Sequence, residues 1–280
     1  MNYGGIDSHS SLADAKFVVV PVPYDLTSTY QSGSRRGPDA ILDASANMEL
    51  YDEELRKETY LAGIHTLVPL AADARGPGEM VASVREQITR VLVHGKIPVM
   101  LGGEHSISLG AVQAMQEKYP ALSVLQLDAH ADLRDSYQGS PYSHAAVARR
   151  IAEVCPLVQV GIRSISAEEW EWAKRTGQIS RIHWADKLEL VDTIENQLSK
   201  NVYLTIDVDI FDPSVIPATG TPEPGGMFWF EVIDILKGVC TTKNIVGIDI
   251  VELLPRPGDI ASDFTIAKLI YKTLGFLTLK

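Results

Sequence analysis

Six short apolar runs constrain the fold of this chain more than any other feature. They are FVVVPVP (17–23), KIPVMLGGEH (96–105), LSVLQLDAH (122–130), LVQVGIRS (157–164), VYLTIDVDI (202–210) and IVGIDIVEL (245–253). Near-continuous apolar strands of this kind are typical of a parallel sheet that is buried on both faces. Several runs end in a glycine or an acid, so the chain leaves those predicted strands abruptly.

Stretches with helical patterning lie between these runs, at 79–95, 108–120, 166–177 and 228–239. Gly95, Gly177 and Gly238 stand near the ends of three of them, where a helix C-terminus prefers glycine. Strand and helix in alternation predict an α/β fold. We expect an open, mostly parallel sheet with helices on both faces; an eight-stranded barrel has the same alternation and is the alternative. No linker or repeat divides the chain, so residues 1–280 are predicted to form a single domain.

Charge and apolar content limit the partners. Lys and Arg number 25 against 36 Asp and Glu, a net charge of −11, which suits cationic ligands and does not favour nucleic acid. No apolar run reaches the roughly 18 residues that span a bilayer, and the N-terminal segment lacks the features of a signal peptide. We therefore expect a cytoplasmic protein with no membrane association. Cys155 and Cys240 belong to no metal-binding pattern, so we interpret both as reduced structural thiols.

Acidic residues and histidines follow three of the predicted strands. In LDAHAD, an extended backbone would point Asp128, His130 and Asp132 the same way. In LTIDVDI, Asp207 and Asp209 repeat this spacing, and two close carboxylates in a low-dielectric setting repel each other unless a cation lies between them.

A third motif, LGGEHS, presents His105 after a Gly-Gly turn. Each motif alone has a plainer interpretation, as acids that cap a helix or as a hydrogen-bonding loop histidine. Together they place four Asp and two His at the carboxyl ends of strands, where open parallel sheets bind ligands. Two long irregular segments, 132–144 and 211–226, begin at the same ends.

Such a set of ligands, dominated by carboxylate oxygens, fits two divalent ions, and Mn²⁺ matches it better than Zn²⁺. Two ions about 3.5–4 Å apart can share a bridging water and lower its pKa towards neutrality, so we expect a hydroxide nucleophile. The charges of the ions and of the four Asp nearly cancel, so a cationic substrate needs a further acid. Glu252, after IVGIDIV, is the candidate.

These motifs resemble a known family. GGEHS, DAHAD, TIDVDIFDP with the following TGTPEPGG, and DIVELLP are similar in order and spacing to the ureohydrolases, which include arginase and agmatinase. The segment PYDLTSTYQSGSRRGPDAILDAS (23–45) resembles the opening of agmatinase-type members. The resemblance covers nearly the whole chain and implies an α/β fold with about eight parallel strands.

The resemblance also implies a chemistry. It implies hydrolysis of a guanidinium group to urea and an amine at a centre with two Mn²⁺ per subunit, in a homo-oligomer, a trimer or a hexamer. The implied ligands are His105, Asp128, His130, Asp132, Asp207 and Asp209. His144 matches the family's proton-shuttling histidine and Glu252 the glutamate that binds the guanidinium, while Asp132 is expected to relay a proton to the leaving amine. Two residues depart from the family pattern. Glu104 replaces the aspartate of the first motif, which leaves open a contact beside the ligand His105, and HAA (144–146) replaces the HG start of arginases, which leaves open the conformation of the histidine loop.

The substrate follows from residues that arginases use for the arginine head group. Here Arg134 and the stretch SPYS (140–143) replace their Asn and Ser-x-Asn, and Ser164 and Ser166 replace their acids. We therefore expect agmatine, cleaved to urea and putrescine as in polyamine biosynthesis, with guanidinobutyrate, aminopropylagmatine and arginine as open alternatives. Arg134 has two interpretations, a partner for a substrate carboxylate or a structural partner of Asp132 or Asp135.

Two other classes are less favoured. Dinuclear phosphoesterase sites usually recruit more histidines and an Asn-His pair, and none of the seven histidines of this chain stands in such a setting. A non-catalytic metal-binding relative would lose the shuttle or the substrate acid first, and His144 and Glu252 are both present.

Overall fold

Eight parallel strands form one open sheet in the computed structural model, which describes residues 1–5, 10–187 and 191–279. The strands of the described residues are β1 (Phe17–Val22), β2 (Tyr51–Asp52), β3 (Lys57–Glu58), β4 (Ile64–Thr66), β5 (Ile97–Gly102), β6 (Leu122–Leu127), β7 (Leu157–Ile162), β8 (Ile182–Trp184), β9 (Asn201–Asp207) and β10 (Asn244–Val251). The order in the sheet is β4-β1-β5-β10-β9-β6-β7-β8, and β2 and β3 form a separate antiparallel pair. The open α/β fold is confirmed, and no barrel closes because β4 and β8 do not pair with each other.

Helices cover both faces, as predicted. They are α1 (Gly37–Ser45), α2 (Pro77–Val93), α3 (Ser108–Lys118), α4 (Val147–Val154), α5 (Ala167–Thr176), α6 (Val191–Gln197), α7 (Trp229–Thr242) and α8 (Ile260–Phe276). Alternate residues of each strand point to opposite faces, so Val19 joins one core with α1, α6, α7 and α8, while Val18 joins the other with α2, α3, α4 and α5.

One glycine has a different role from the predicted one. Gly177 ends α5 in the left-handed conformation, with φ of 83°, and Gly95 follows α2 with φ of 70°. Gly238 instead lies inside α7, which continues to Thr242. A Cβ there would lie 2.5 Å from Val191 Cγ1, so the glycine permits close packing of α6 on α7.

The cysteines and the lengths of the helices complete the description of the fold. Cys155 and Cys240 are both buried and neither is in a disulfide, and burial raises the pKa of Cys155 to about 12, which keeps this thiol protonated and unreactive. Among the described residues, no helix is long and apolar enough to cross a membrane.

Candidate active site

The sheet order brings the predicted ligands together. β5, β10, β9 and β6 are consecutive neighbours and parallel, so their carboxyl ends meet at one edge. His105 and Glu252 follow β5 and β10. Asp207 ends β9, and Asp128 follows β6. Residues far apart in sequence therefore converge on one site.

A first group forms around His105. The ligand atoms of His105, Asp128 and Asp132 lie within 4.8 Å of one another. His105 Nδ1 is 3.1 Å from Asp128 and 3.4 Å from both Asp132 and Asp207. This nitrogen is buried and makes no hydrogen bond to any of the described residues. A nitrogen without a donor or acceptor partner, surrounded by carboxylate oxygens, fits a divalent cation.

A second group shares Asp128 with the first. The ligand atoms of Asp128, His130 and Asp209 also lie within 4.8 Å of one another, and His130 Nδ1 is 2.9 Å from Asp209 Oδ2. Asp207 lies beside both groups, since its Oδ1 accepts a hydrogen bond of 2.9 Å from Asp209 N. Two adjacent donor groups with a common carboxylate suit a pair of ions.

Burial makes this concentration of negative charge costly. Burial and repulsion from Asp209 raise the pKa of Asp128 to about 7 and that of Asp207 well above its usual value. Burial opposes a charge on His130, but its carboxylate neighbours raise its pKa to about 11. Bound cations would relieve this repulsion.

A hydroxyl beneath the site orients His105. Its Nε2 lies 2.9 Å from Thr205 Oγ1, which donates a 2.6 Å hydrogen bond to Asp249 Oδ1. Because the Thr205 hydrogen points to Asp249, its oxygen accepts from Nε2–H. Nδ1 is therefore the ring nitrogen that faces the carboxylate cluster, where its lone pair could bind a cation.

Two candidate catalytic residues have left-handed backbone. Asp132 has φ of 50° and Glu252 has φ of 64°. β6 ends at Leu127, so the trio 128, 130 and 132 does not converge through the extended backbone that the spacing predicts. The left-handed turn at Asp132 completes the convergence, and such strained positions are frequent at functional sites.

Glu252 lies directly beside the first group. Its Oε1 accepts a 2.7 Å hydrogen bond from His105 N, and its own N donates to Gly103 O. Burial, together with repulsion from Glu104, raises the pKa of Glu252 to about 8. A cationic ligand at this position would favour the ionised carboxylate.

His144 stands at the end of the irregular segment 132–144. It is half-buried, and its ring meets that of Tyr137 edge-on at 6.1 Å. Burial lowers its pKa, which the nearby Asp132 partly offsets, so the imidazole is neutral at neutral pH. Its Nδ1 lies 3.1 Å from Thr27 Oγ1.

A cleft of about 260 Å³ opens beside these residues. Ser164 and Ser166 line it as predicted, but Ser166 also caps α5, with Glu169 as its reciprocal partner. Arg134 lines it too, with its guanidinium 5.0 Å from the ring of Tyr137.

Asp135, one proposed partner of Arg134, pairs instead with Arg149 and Arg150. A further arginine that the sequence analysis missed, Arg163, secures the segment 211–226. Its guanidinium donates to the carbonyl oxygens of Asp209 and Glu223 at 2.6 and 2.9 Å. The sequence GIRS, which begins in the last two residues of β7, was the signal that could have revealed this arginine.

Comparison with known proteins identifies the family. The model of the Arginase family matches residues 15–275. The chain belongs to the arginase family. The N(1)-aminopropylagmatine ureohydrolase of Thermus thermophilus is 42% identical over 267 residues, which cover 94% of this chain and 90% of the relative. The agmatinase of Bacillus anthracis is 36% identical over 259 residues, covering 89% and 87%.

A solved structure agrees with this arginase-family assignment. The agmatine ureohydrolase of Thermoplasma volcanium superposes with a TM-score of 0.89 at 30% identity, covering 99% of this chain and 95% of that one. The chain is therefore assigned to the ureohydrolases of the arginase family.

Proposed function

We propose that this ureohydrolase cleaves the guanidinium group of agmatine, or of its aminopropyl derivative, to urea and an amine with two Mn²⁺ ions. The observation that carries the proposal is the pair of donor groups that share Asp128 beside Glu252. The ions would be held by His105, Asp128, His130, Asp132, Asp207 and Asp209. When bound, such ions ionise solvent at neutral pH and so supply the nucleophile.

The protein's own groups would bind the substrate and move protons. Glu252 would hold the guanidinium through a charge-assisted hydrogen bond, since its Oε2 is not used by His105 N. Asp132 would pass a proton towards the leaving amine. His144, neutral at neutral pH, would exchange protons between the cleft and solvent.

Two observations bear on the choice of substrate. Relatives named aminopropylagmatine ureohydrolase are 39–42% identical, and relatives named agmatinase are 33–36% identical. This difference favours the longer amine. Arg134 in the cleft wall is the feature that would suit an anionic tail, so guanidinobutyrate belongs in the comparison.

A urea-release assay with Mn²⁺ tests the proposal on agmatine, N(1)-aminopropylagmatine, guanidinobutyrate and arginine. We expect kcat/KM for one of the two amines to exceed that for arginine by about 10²-fold, because Ser164 and Ser166 offer no acid to an α-amino group. Urea from arginine alone would contradict the substrate choice. No urea from any substrate would favour a non-catalytic relative.

Glu252→Gln tests the substrate acid. Loss of the charge should lower kcat/KM by at least about 10²-fold, because a charged partner of the guanidinium is removed. Metal content should stay near two ions per chain, as measured by plasma emission spectroscopy. Full activity in this variant would remove the role assigned to Glu252.

Assembly as a trimer or hexamer and cytoplasmic location stay predictions, and analytical ultracentrifugation tests the first.

A further inference from the structure

The hydroxyl of Thr27 joins two side chains that lie far apart in sequence. Its Oγ1 is 2.6 Å from Glu104 Oε1 and 3.1 Å from His144 Nδ1. The backbone N of His144 also donates to this oxygen at 3.1 Å. Thr27 thus stands between the glutamate of LGGEHS and the histidine at the end of the irregular segment 132–144.

The hydrogens that each group can donate fix the direction of these bonds. Glu104 receives a 2.6 Å hydrogen bond from Thr27 N and a 2.5 Å bond from Ser106 Oγ. Oε1 of Glu104 thus lies within hydrogen-bond distance of two hydroxyls, those of Ser106 and Thr27. The Thr27 hydroxyl donates its single hydrogen to Oε1 of Glu104, so that hydrogen is not available to His144. The two lone pairs of Oγ1 then accept from His144 N–H and Nδ1–H.

We propose that Thr27 and Glu104 are positioning residues that fix the tautomer and the ring orientation of His144, an inference that rests on the proposed hydrolase function. With the proton on Nδ1, the lone pair is on Nε2, at the edge of the ring away from Thr27. His144 begins a one-turn 3-10 helix, residues 144–146, that leads directly into α4. The hydrogen bonds to Thr27 restrain both the backbone and the ring of this first residue.

The length of the Glu104 side chain matters for this contact. Both carboxylate oxygens reach Thr27, one at the backbone N and one at the hydroxyl. An aspartate is one methylene shorter, so Glu104→Asp is expected to loosen the contact. Glu104 thereby acts on His144 through Thr27, while the adjacent His105 remains a metal-ligand candidate.

Enzyme kinetics separate a positioning role from a structural one. Thr27→Val should lower kcat by about 10- to 100-fold with little change in KM, because proton transfer depends on orientation, and Thr27→Ser should restore most of kcat. Metal content should be unchanged. Thr273→Val is the matched control, since it removes a buried hydroxyl bonded to Leu269 O in α8, far from the cleft, and it should keep the wild-type kcat.

A double variant tests whether Thr27 acts through His144. If it does, Thr27→Val combined with His144→Ala should have the kcat of His144→Ala alone. Losses that multiply, or a wild-type kcat in Thr27→Val, would overturn the inference.

Histidine ¹⁵N chemical shifts of the metal-free protein report the tautomer independently of turnover. They should show His144 protonated at Nδ1 in the wild type and a mixture in Thr27→Val. Proton on Nε2 in the wild type would overturn the inference even in an active enzyme. Absence of urea release with the expected tautomer would instead count against the proposed function.

Discussion

Replacing Thr205 by valine should separate the support of the site from its metal ligands. Thr205 Oγ1 lies between His105 Nε2 at 2.9 Å and Asp249 Oδ1 at 2.6 Å, and all three residues are buried. Valine keeps the volume but removes both bonds, and Tyr203 still donates to the other oxygen of Asp249. Each buried group left without a partner costs about 1–3 kcal/mol. We expect Thr205→Val to lower the free energy of unfolding by about 2–4 kcal/mol.

The same change should weaken metal binding. Without its acceptor, His105 loses the bond that reserves Nδ1 for the cluster, and loss of such an outer partner typically costs about 10- to 100-fold in metal affinity. Scanning calorimetry of the metal-free protein measures the first effect, and competitive Mn²⁺ titration measures the second. Thr205→Ser, which keeps the hydroxyl, is the control. A valine variant that unfolds and binds Mn²⁺ as the serine variant does would refute the role of the Thr205 hydroxyl.

Three further predictions concern pH, packing and metal removal. Burial and the neighbours Asp259 and Asp43 raise the pKa of Asp263 from 3.8 to about 6, so its ionisation destabilises the folded state as pH rises through this range. Asp263→Asn should raise the free energy of unfolding by about 1 kcal/mol at pH 7, after allowance for solvent screening, and leave it unchanged at pH 4. Equal stabilisation at both pH values in thermal unfolding would contradict this. Gly103→Ala would place a Cβ 2.0 Å from Tyr24 O, so it should lower the free energy of unfolding by about 1–3 kcal/mol and also lower kcat. An unchanged melting temperature would disprove this. Removal of metal by a chelator should abolish urea release and lower the melting temperature, with both restored by Mn²⁺; a melting temperature insensitive to metal would count against the site.

The central sheet was predictable because its strands are apolar on both faces. All six apolar runs are strands, and they are the inner part of the sheet. The two edge strands, β4 and β8, have the sequences IHT and IHW, and three residues are too few to establish a period-two pattern. Helix α8 was not singled out either, since its last turns are buried all round and therefore lack an amphipathic pattern.

The donor cluster was predictable from local spacing, but its supports were not. The motifs place ligands within a few residues of one another and at strand ends, which a sequence reveals. Thr27 contacts Glu104 and His144 across 77 and 117 positions, and Thr205 contacts His105 across 100. Such contacts depend on strand order and loop placement, which no local pattern contains.

Two pairs of a threonine hydroxyl and a carboxylate hold two histidine rings in the same way, but at different ring nitrogens. Thr205, whose hydroxyl donates to Asp249, accepts from Nε2 of His105 and leaves Nδ1 facing the donor cluster. The half-buried Thr27, with Glu104, binds Nδ1 of His144 and leaves Nε2 for the cleft. Because Thr205 is fully buried, its loss should appear in stability and metal affinity. Because Thr27 is only half-buried, beside the cleft-lining Ser28 and His144, water can replace part of the lost bonding, and its loss should appear mainly in kcat. Matching effects of the two variants on both quantities would show that the two pairs do not differ in this way.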